Sequence, residues 1–257
     1  MGAIPKNFFG LAILLGILST LPAPRNLNAA MVPSNILQRV FTIRVGSKQA
    51  TAFTIEVDDR QYLITARHIF SSSSPTTIEI LHDKKWVAVQ VRSLLVEPPT
   101  VDIAVLALPQ QLSGLMPVQP VGTKGSYLSQ DVFFVGFPYG LSIEGHALNS
   151  GFPLPLVKHG IIAAFGNGRG EPFLVDGINN PGFSGGPVVR SEDPKNPTII
   201  GVVSGYRAVH EAVYKEKTKT DNLTVQTNTG LLVAFGIEYA IEAIKRNPIG
   251  YRVQSSP

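Results

Sequence analysis

The chain contains no cysteine. That excludes disulfide stapling, thiol catalysis and zinc sites built on thiolates. It is also poor in charge: Asp, Glu, Lys and Arg make up 16% of the 257 residues, against 44% hydrophobic. Extensive disorder is thereby excluded, because such a composition supplies ample apolar surface for a core. The formal net charge is +4, and two of the positive groups, Lys6 and Arg25, fall in the first thirty residues, which hold no acidic side chain. The remainder is close to neutral with its charges scattered, so no nucleic-acid partner is expected. Histidine is scarce as well. His68, His82, His146, His159 and His210 are the only five, and none stands in an H-E-x-x-H or H-x-H arrangement. No metal and no cofactor is expected from such a set.

Long hydrophobic runs are missing too. The longest, Phe8–Leu21, has fourteen residues, short of the roughly 20 that a membrane-crossing helix needs. Lys6 precedes it, and the turn-rich "LPAPRNLNAA" follows, ending in small residues. Residues 1–30 therefore have the form of a secretory signal peptide cleaved after Ala29 or Ala30, with an uncleaved N-terminal anchor as the alternative. Contact with a membrane is expected only if the segment stays uncleaved. An exported protein, periplasmic or secreted, is expected to rely here on its core instead of disulfides.

What is abundant is short β-like punctuation. "VFTIRVG", "ATAFTIEV" and "QYLITA" are rich in Val, Ile, Thr, Phe and Tyr, with "DDR" (58–60) as a turn between the last two. "TTIEILH", "KWVAVQVRSLLV", "DIAVLAL", "DVFFVGF", "LVKHGIIAAF", "PFLVDGI", "GPVVR", "TIIGVVSGY" and "GLLVAF" continue the theme, separated by Gly, Pro, Asn and Ser. Many short strands of this kind predict an all-β barrel or sandwich. Residues 113–131 carry Gly and Pro with little strand pattern, which divides the chain into two small barrels. The first spans 35–125 and the second 126–247, the latter ending in a short helix over Ile237–Lys245, with a tail at 248–257. A polar, charged stretch at 207–229 interrupts the second half and reads as a solvated insertion.

Three segments carry chemistry. "YLITARHIF" places His68 just past a strand, "TVDIAVLAL" places Asp102 at the entrance of another, and "NNPGFSGGPVV" sets Ser184 among Gly182, Gly185 and Gly186. A serine hydroxyl is a weak nucleophile until an imidazole accepts its proton, and the imidazole needs a carboxylate to hold its tautomer. The glycines serve a second need. Acyl transfer develops charge on a carbonyl oxygen, and backbone N–H groups must converge on it, which demands a backbone free of Cβ clashes. Gly182 and Ser184 are the candidate donors of such an oxyanion hole.

In the order His, Asp, Ser, these segments resemble those of the chymotrypsin-like (trypsin-fold) serine proteases. "ITARH" is similar to that family's T-A-x-H, "DIAVL" to its D-I-A-L and "GFSGGP" to its G-x-S-G-G-P. Within the family the likeness is to bacterial HtrA/Deg-type and V8-like members. "VDGINNPGFSGGPVV" resembles their D-x-x-I-N-P-G-x-S-G-G-P block, with Asp176 at its leading Asp, and "FFVGFPYGLS" their G-x-P-x-G strand end. The resemblance implies two six-stranded Greek-key barrels with a peptidase site in the cleft between them, His68 and Asp102 coming from the first barrel and Ser184 from the second. It implies polypeptide substrates, a supporting role for Ser204 beside Asp102, and backbone contacts to substrate from Gly205 and Tyr206. It also places Ile178, six residues before the nucleophile, where the charge preference of the specificity pocket is set. An apolar residue there predicts a small or medium apolar side chain before the scissile bond.

Two departures qualify what the resemblance implies. Phe183 fills the position where digestive members carry an Asp that pairs with a newly cut N-terminus, and no Ile-Val-Gly-Gly start exists, so that mode of activation is not expected. No PDZ-like region follows the helix, so the regulated assembly of full-length HtrA proteins is not expected either. The alternative to a serine endopeptidase is a catalytically silent module of the same fold that binds peptides or acts as a chaperone.

Overall fold

Two-residue turns organise the first half of the fold. Val45 faces Lys48, Val57 faces Arg60 and His82 faces Lys85 across tight hairpins. Asp58 and Asp59 both lie at positive φ, as do Asp83 and Lys84, the backbone twist that joins right-twisted strands most directly. The computed structural model describes residues 31–71, 75–114, 118–190 and 196–253. The leader Phe8–Leu21, and with it the signal-peptide reading, lies outside them. Among the described residues no helix is long and apolar enough to cross a membrane.

After a single helical turn, α1 (Ser34–Leu37), one sheet forms from β1 (Val40–Val45), β2 (Lys48–Val57), β3 (Arg60–Thr65), β4 (Thr77–His82), β5 (Lys85–Gln90), β6 (Arg92–Leu94) and β7 (Ala104–Ala107). Its spatial order is β5-β4-β1-β2-β3-β7-β6, an open path. The second sheet contains β8 (Gln119–Pro120), β9 (Asp131–Gly136), β10 (Leu156–Ala164), β11 (Phe173–Asp176), β12 (Pro187–Arg190), β13 (Thr198–Lys215) and β14 (Thr218–Gly236). Its order is β12-β9-β10-β11-β14-β13-β8, and a β12–β13 ladder closes six of these strands into a ring. Helix α2 (Glu238–Arg246) follows, and β15 (Tyr251–Arg252) returns to pair with β3. The architecture is mostly β, two sheets and a short C-terminal helix, as the strand punctuation implies.

Period-two alternation explains how the two sheets become one body. On β2 and β3, Ala50, Ala52 and Leu63 face the core of the first sheet, while Phe53, Ile55, Tyr62 and Ile64 face the opposite way. On β9, β12 and β13, Phe134, Val188 and Ile200 fill the second ring, while Val135, Val189, Ile199 and Val202 face outward to meet the first set. Tyr239, Ala240, Ala243 and Ile244 of α2 close this shared seam. Each fully buried aliphatic or aromatic side chain contributes about 1.5–3 kcal/mol, so a seam of more than ten binds the sheets into one unit.

One expectation is corrected by the fold. Residues 207–229 are solvated but do not interrupt the strands: β13 and β14 continue through them as a ribbon closed at Lys215 and Thr218. Charged residues here are interleaved with β-branched and aromatic ones ("AVHEAVY", "NLTVQTNT"). These retain strand propensity even where both faces meet water.

Candidate active site

His68 sits on a single 3-10 turn, Arg67–Ile69, directly after β3. Its backbone N–H donates to Asp102 Oδ1 at 2.8 Å, and its Nδ1 lies 2.6 Å from Asp102 Oδ2. Because a carboxylate only accepts, this contact assigns the proton to Nδ1 and leaves the Nε2 lone pair for a base. The Ser204 hydroxyl donates to the same Oδ2 at 2.6 Å. Burial pushes the Asp102 carboxyl up, but the hydrogen bonds from His68 and Ser204 outweigh it and leave the group below its usual value. Arg67 holds the loop that presents Asp102, donating to Val96 O at 2.7 Å and Pro99 O at 2.8 Å.

Ser184 reaches this pair through Ser204. Its hydroxyl donates to the Ser204 carbonyl oxygen at 3.0 Å, so Ser204 serves Asp102 with its side chain and Ser184 with its backbone. Among the described residues no hydrogen bond joins Ser184 to His68 directly. The turn that carries Ser184 is pinned across the seam by Thr51 of β2. Thr51 N–H donates to Ser184 O at 2.9 Å, and the Thr51 hydroxyl donates to Gly182 O at 2.7 Å. Thr51, a residue the sequence does not single out, is where the first sheet holds the nucleophile turn of the second.

The glycines prove to be requirements of close approach. Gly185 has φ +85°, and a Cβ there would lie 2.1 Å from Thr51 O and 2.3 Å from Thr65 Oγ1. A Cβ on Gly186 would lie 2.2 Å from Val135 O. Gly185→Ala is therefore expected to cost about 3 kcal/mol or more, through both strain at positive φ and loss of the seam. A shift in the urea unfolding midpoint worth less than about 1 kcal/mol would refute the clash.

Candidate oxyanion donors can be judged by where their neighbours point. The Phe183, Gly185 and Gly186 N–H groups donate internally to Asn180 O, Val203 O and Phe183 O. Gly182 N–H and Ser184 N–H have no internal acceptor among the described residues. Pro181 O accepts from Tyr139 N–H at 2.7 Å. In a trans peptide the N–H opposes the carbonyl, so the Gly182 N–H is turned away from the Tyr139 segment.

Phe183 is fully buried and packs edge-on against Phe134 with ring centroids 5.1 Å apart. The Lys158 ammonium lies 5.8 Å from the Phe134 ring centre and 5.9 Å from that of Phe183. It donates to Ile178 O and to Asn180 Oδ1, and burial pushes its pKa down. Where the resemblance would place an activation carboxylate, this protein has an aromatic ring packed into its core, with a half-buried cation fastening the preceding loop. Position 158 gives no signal in the sequence, since a lysine on an alternating strand reads as a solvated residue.

The remaining predicted positions are placed as follows. Gly205 and Tyr206 continue β13 from Ser204 beside Ser184. The Ile178 side chain is exposed, and only its carbonyl is held, by Lys158. His159 does not join the group; it is exposed on β10 and pairs with Asp131 at 2.6 Å. A depression of about 370 Å³ flanks His68 and Asp102, bordered by Phe70 and Thr100. Among the described residues no three His, Asp or Glu side chains gather as metal ligands.

The two sheets carry a His–Asp pair on the first and a serine turn on the second, linked through Ser204. Residues 50–195 match the trypsin-like peptidase domain, and the chain belongs to that family. It is related by sequence to Protease Do-like 1, chloroplastic, of Arabidopsis thaliana, with 29% identity over 146 residues. The match covers 56% of this chain and 30% of that protein, so the chain spans under a third of the relative's length. Among solved structures it is similar in fold to the Rv3671c protease of M. tuberculosis in its inactive form, with a TM-score of 0.52 at 17% identity, covering 84% of this chain and 98% of that one. It is similar also to the HtrA-type protease AlgW with a tripeptide, with a TM-score of 0.53 at 20% identity, covering 84% of this chain and 62% of that one.

Proposed function

We propose that the protein is a serine endopeptidase hydrolysing polypeptides through an acyl-enzyme. The observation that carries the reading is the continuous chain of hydrogen bonds from His68 through Asp102 and Ser204 to Ser184. Ser184 Oγ attacks the scissile carbonyl carbon. His68 Nε2 takes the hydroxyl proton and then delivers it to the departing amine as the C–N bond breaks. Water attacks the resulting ester by the same route and restores Ser184. Asp102 stays ionised throughout, holding the ring and stabilising its charged form, while the Gly182 and Ser184 N–H groups hold the oxyanion. For the first step the Ser184 hydroxyl must turn from Ser204 O towards Nε2, a change between staggered positions about one bond. The tripeptide held by the related AlgW supports polypeptide as the substrate class.

A fluorophosphonate probe tests this reading. The wild-type protein is expected to be labelled and Ser184→Ala is not. No labelling of the wild type would remove the catalytic reading and leave a peptide-binding module of the same fold. Equal labelling of both proteins would mean that another residue is the nucleophile.

A further inference from the structure

Among the described residues, β13 beyond Ser204 pairs only with β14, and β14 before Gly230, whose carbonyl accepts from the Gly177 N–H, pairs only with β13. The two strands thus leave the second ring as a projecting ribbon with both outer edges unpaired. A two-stranded ribbon of this length is marginal alone, and its free N–H and C=O groups are a template for another strand. The β13 edge is continuous with the cleft, because Ser204 O faces Ser184 Oγ there. Ser204 is the extra residue of an irregularity on β13, between Val203↔Ala234 and Gly205↔Val233, so alternation is counted from Arg207, whose carbonyl faces β14, and places the backbone groups of Tyr206, Ala208, His210 and Ala212 on the outer edge. Arg207 O, of the opposite parity, indeed accepts from the Thr229 hydroxyl of β14 at 2.8 Å.

The register keeps this edge regular. Tyr206 pairs with Leu232 and Ala208 with Asn228, so the extra residues at that irregularity lie on β14 and not on β13. From Ala208↔Asn228 to Ala212↔Thr224 the ladder advances one for one. The edge from Tyr206 to Ala212 is about 20 Å long at the usual rise per residue. Its charges are mixed, with Arg207, Lys215, Lys217 and Lys219 beside Glu211, Glu216 and Asp221, which favours recognition of backbone over recognition of one sign of charge. Ala208 and Ala212 present little bulk to an incoming strand.

We infer that the outer edge of β13 beyond Tyr206, from Ala208 through Ala212, is a strand-addition site for the part of an extended polypeptide substrate that precedes the scissile bond by five or more residues, prolonging the backbone contacts that the resemblance implies at Gly205 and Tyr206. The inference rests on the peptidase reading for its register. A substrate residue adjoining the scissile bond meets Ser204, and the third before the bond meets Tyr206. The fifth, seventh and ninth then meet Ala208, His210 and Ala212, antiparallel to β13.

The experiment measures equilibrium binding of fluorescent peptides to the Ser184→Ala protein, which does not depend on turnover. Peptides of one sequence with four or ten residues before the scissile bond are compared. The longer one is expected to bind roughly tenfold to a hundredfold more tightly, from three further register positions of backbone pairing. N-methylation at the fifth or seventh residue is expected to abolish most of that gain, and at the fourth or sixth to leave it. In a variant with residues 209–227 replaced by an Asn-Gly turn, which removes His210 and Ala212 and keeps Ala208, most of the gain is expected to be lost, while labelling of the otherwise wild-type shortened protein by the fluorophosphonate stays within about twofold, since that probe occupies only the cleft. Absence of the gain, absence of the two-residue period, or persistence of the gain in the shortened protein would each overturn the inference. So would a dimer in sedimentation that the shortening abolishes, since a second copy would then occupy the edge. Period-two binding without labelling would retain the edge and remove catalysis; labelling without length-dependent binding would do the reverse.

Discussion

His68→Ala is expected to lower the turnover number for peptide hydrolysis by on the order of 10⁶, with little change in thermal stability. The imidazole is half exposed, and among the described residues its one hydrogen bond is to Asp102. Removing the ring leaves Asp102 still accepting from the residue-68 backbone N–H and from the Ser204 hydroxyl, so the loop keeps its anchors. The chemistry loses its base. Ser184 would have to release its proton to water, and the leaving amine would depart without a donor. Turnover measured on a denatured polypeptide beside the melting temperature checks this. A fall of less than about tenfold would assign the base to another group.

Asp102→Asn is the second, at about 10⁴ in turnover number. Oδ2 accepts from both His68 Nδ1 and Ser204 Oγ, while Oδ1 accepts from the His68 backbone N–H. An amide supplies one acceptor atom and one donor. If its oxygen stays on the backbone N–H, its NH₂ faces Nδ1, which must then be the unprotonated nitrogen. The proton moves to Nε2, and the lone pair that should receive the Ser184 proton is gone.

The same substitution has a signature in stability. The native carboxyl lies below its usual value because its hydrogen-bond donors outweigh its burial. A depressed native pKa stabilises the fold fully above the unfolded value, near 3.9, and that contribution is lost as pH falls through the lower native value. Wild-type stability is therefore expected to decline more steeply than that of Asp102→Asn as pH falls below about 4. Urea unfolding across that range compares the two slopes, and parallel slopes would mean that Asp102 is not held as the ion.

The strands were legible because each announces itself locally. β1, β2, β3, β9 and β10 fall on the apolar segments read from the sequence within a residue or two, as does α2. The ribbon was not legible: residues 207–229 are nearly all exposed, and a strand with no buried face shows no apolar alternation to detect. Lys158 and Thr51 were missed for another reason. Each acts on residues far away in sequence, Lys158 on Ile178 and Asn180, Thr51 on Gly182 and Ser184. Neither type at its own position departs from what an ordinary strand residue would be.

By itself the sequence determined the β-rich class, the family, and the residue types that a serine nucleophile requires, because strand period, turn glycines and short motifs are written in adjacent residues. Only the tertiary structure decided that Ser204 links Ser184 to Asp102, that Thr51 pins the nucleophile turn, and that Lys158 fastens the loop before Phe183. It alone also decided that β13 leaves the cleft as a free edge. These depend on which atoms the seam between two sheets brings within hydrogen-bond distance, and on which strand edges it leaves uncovered.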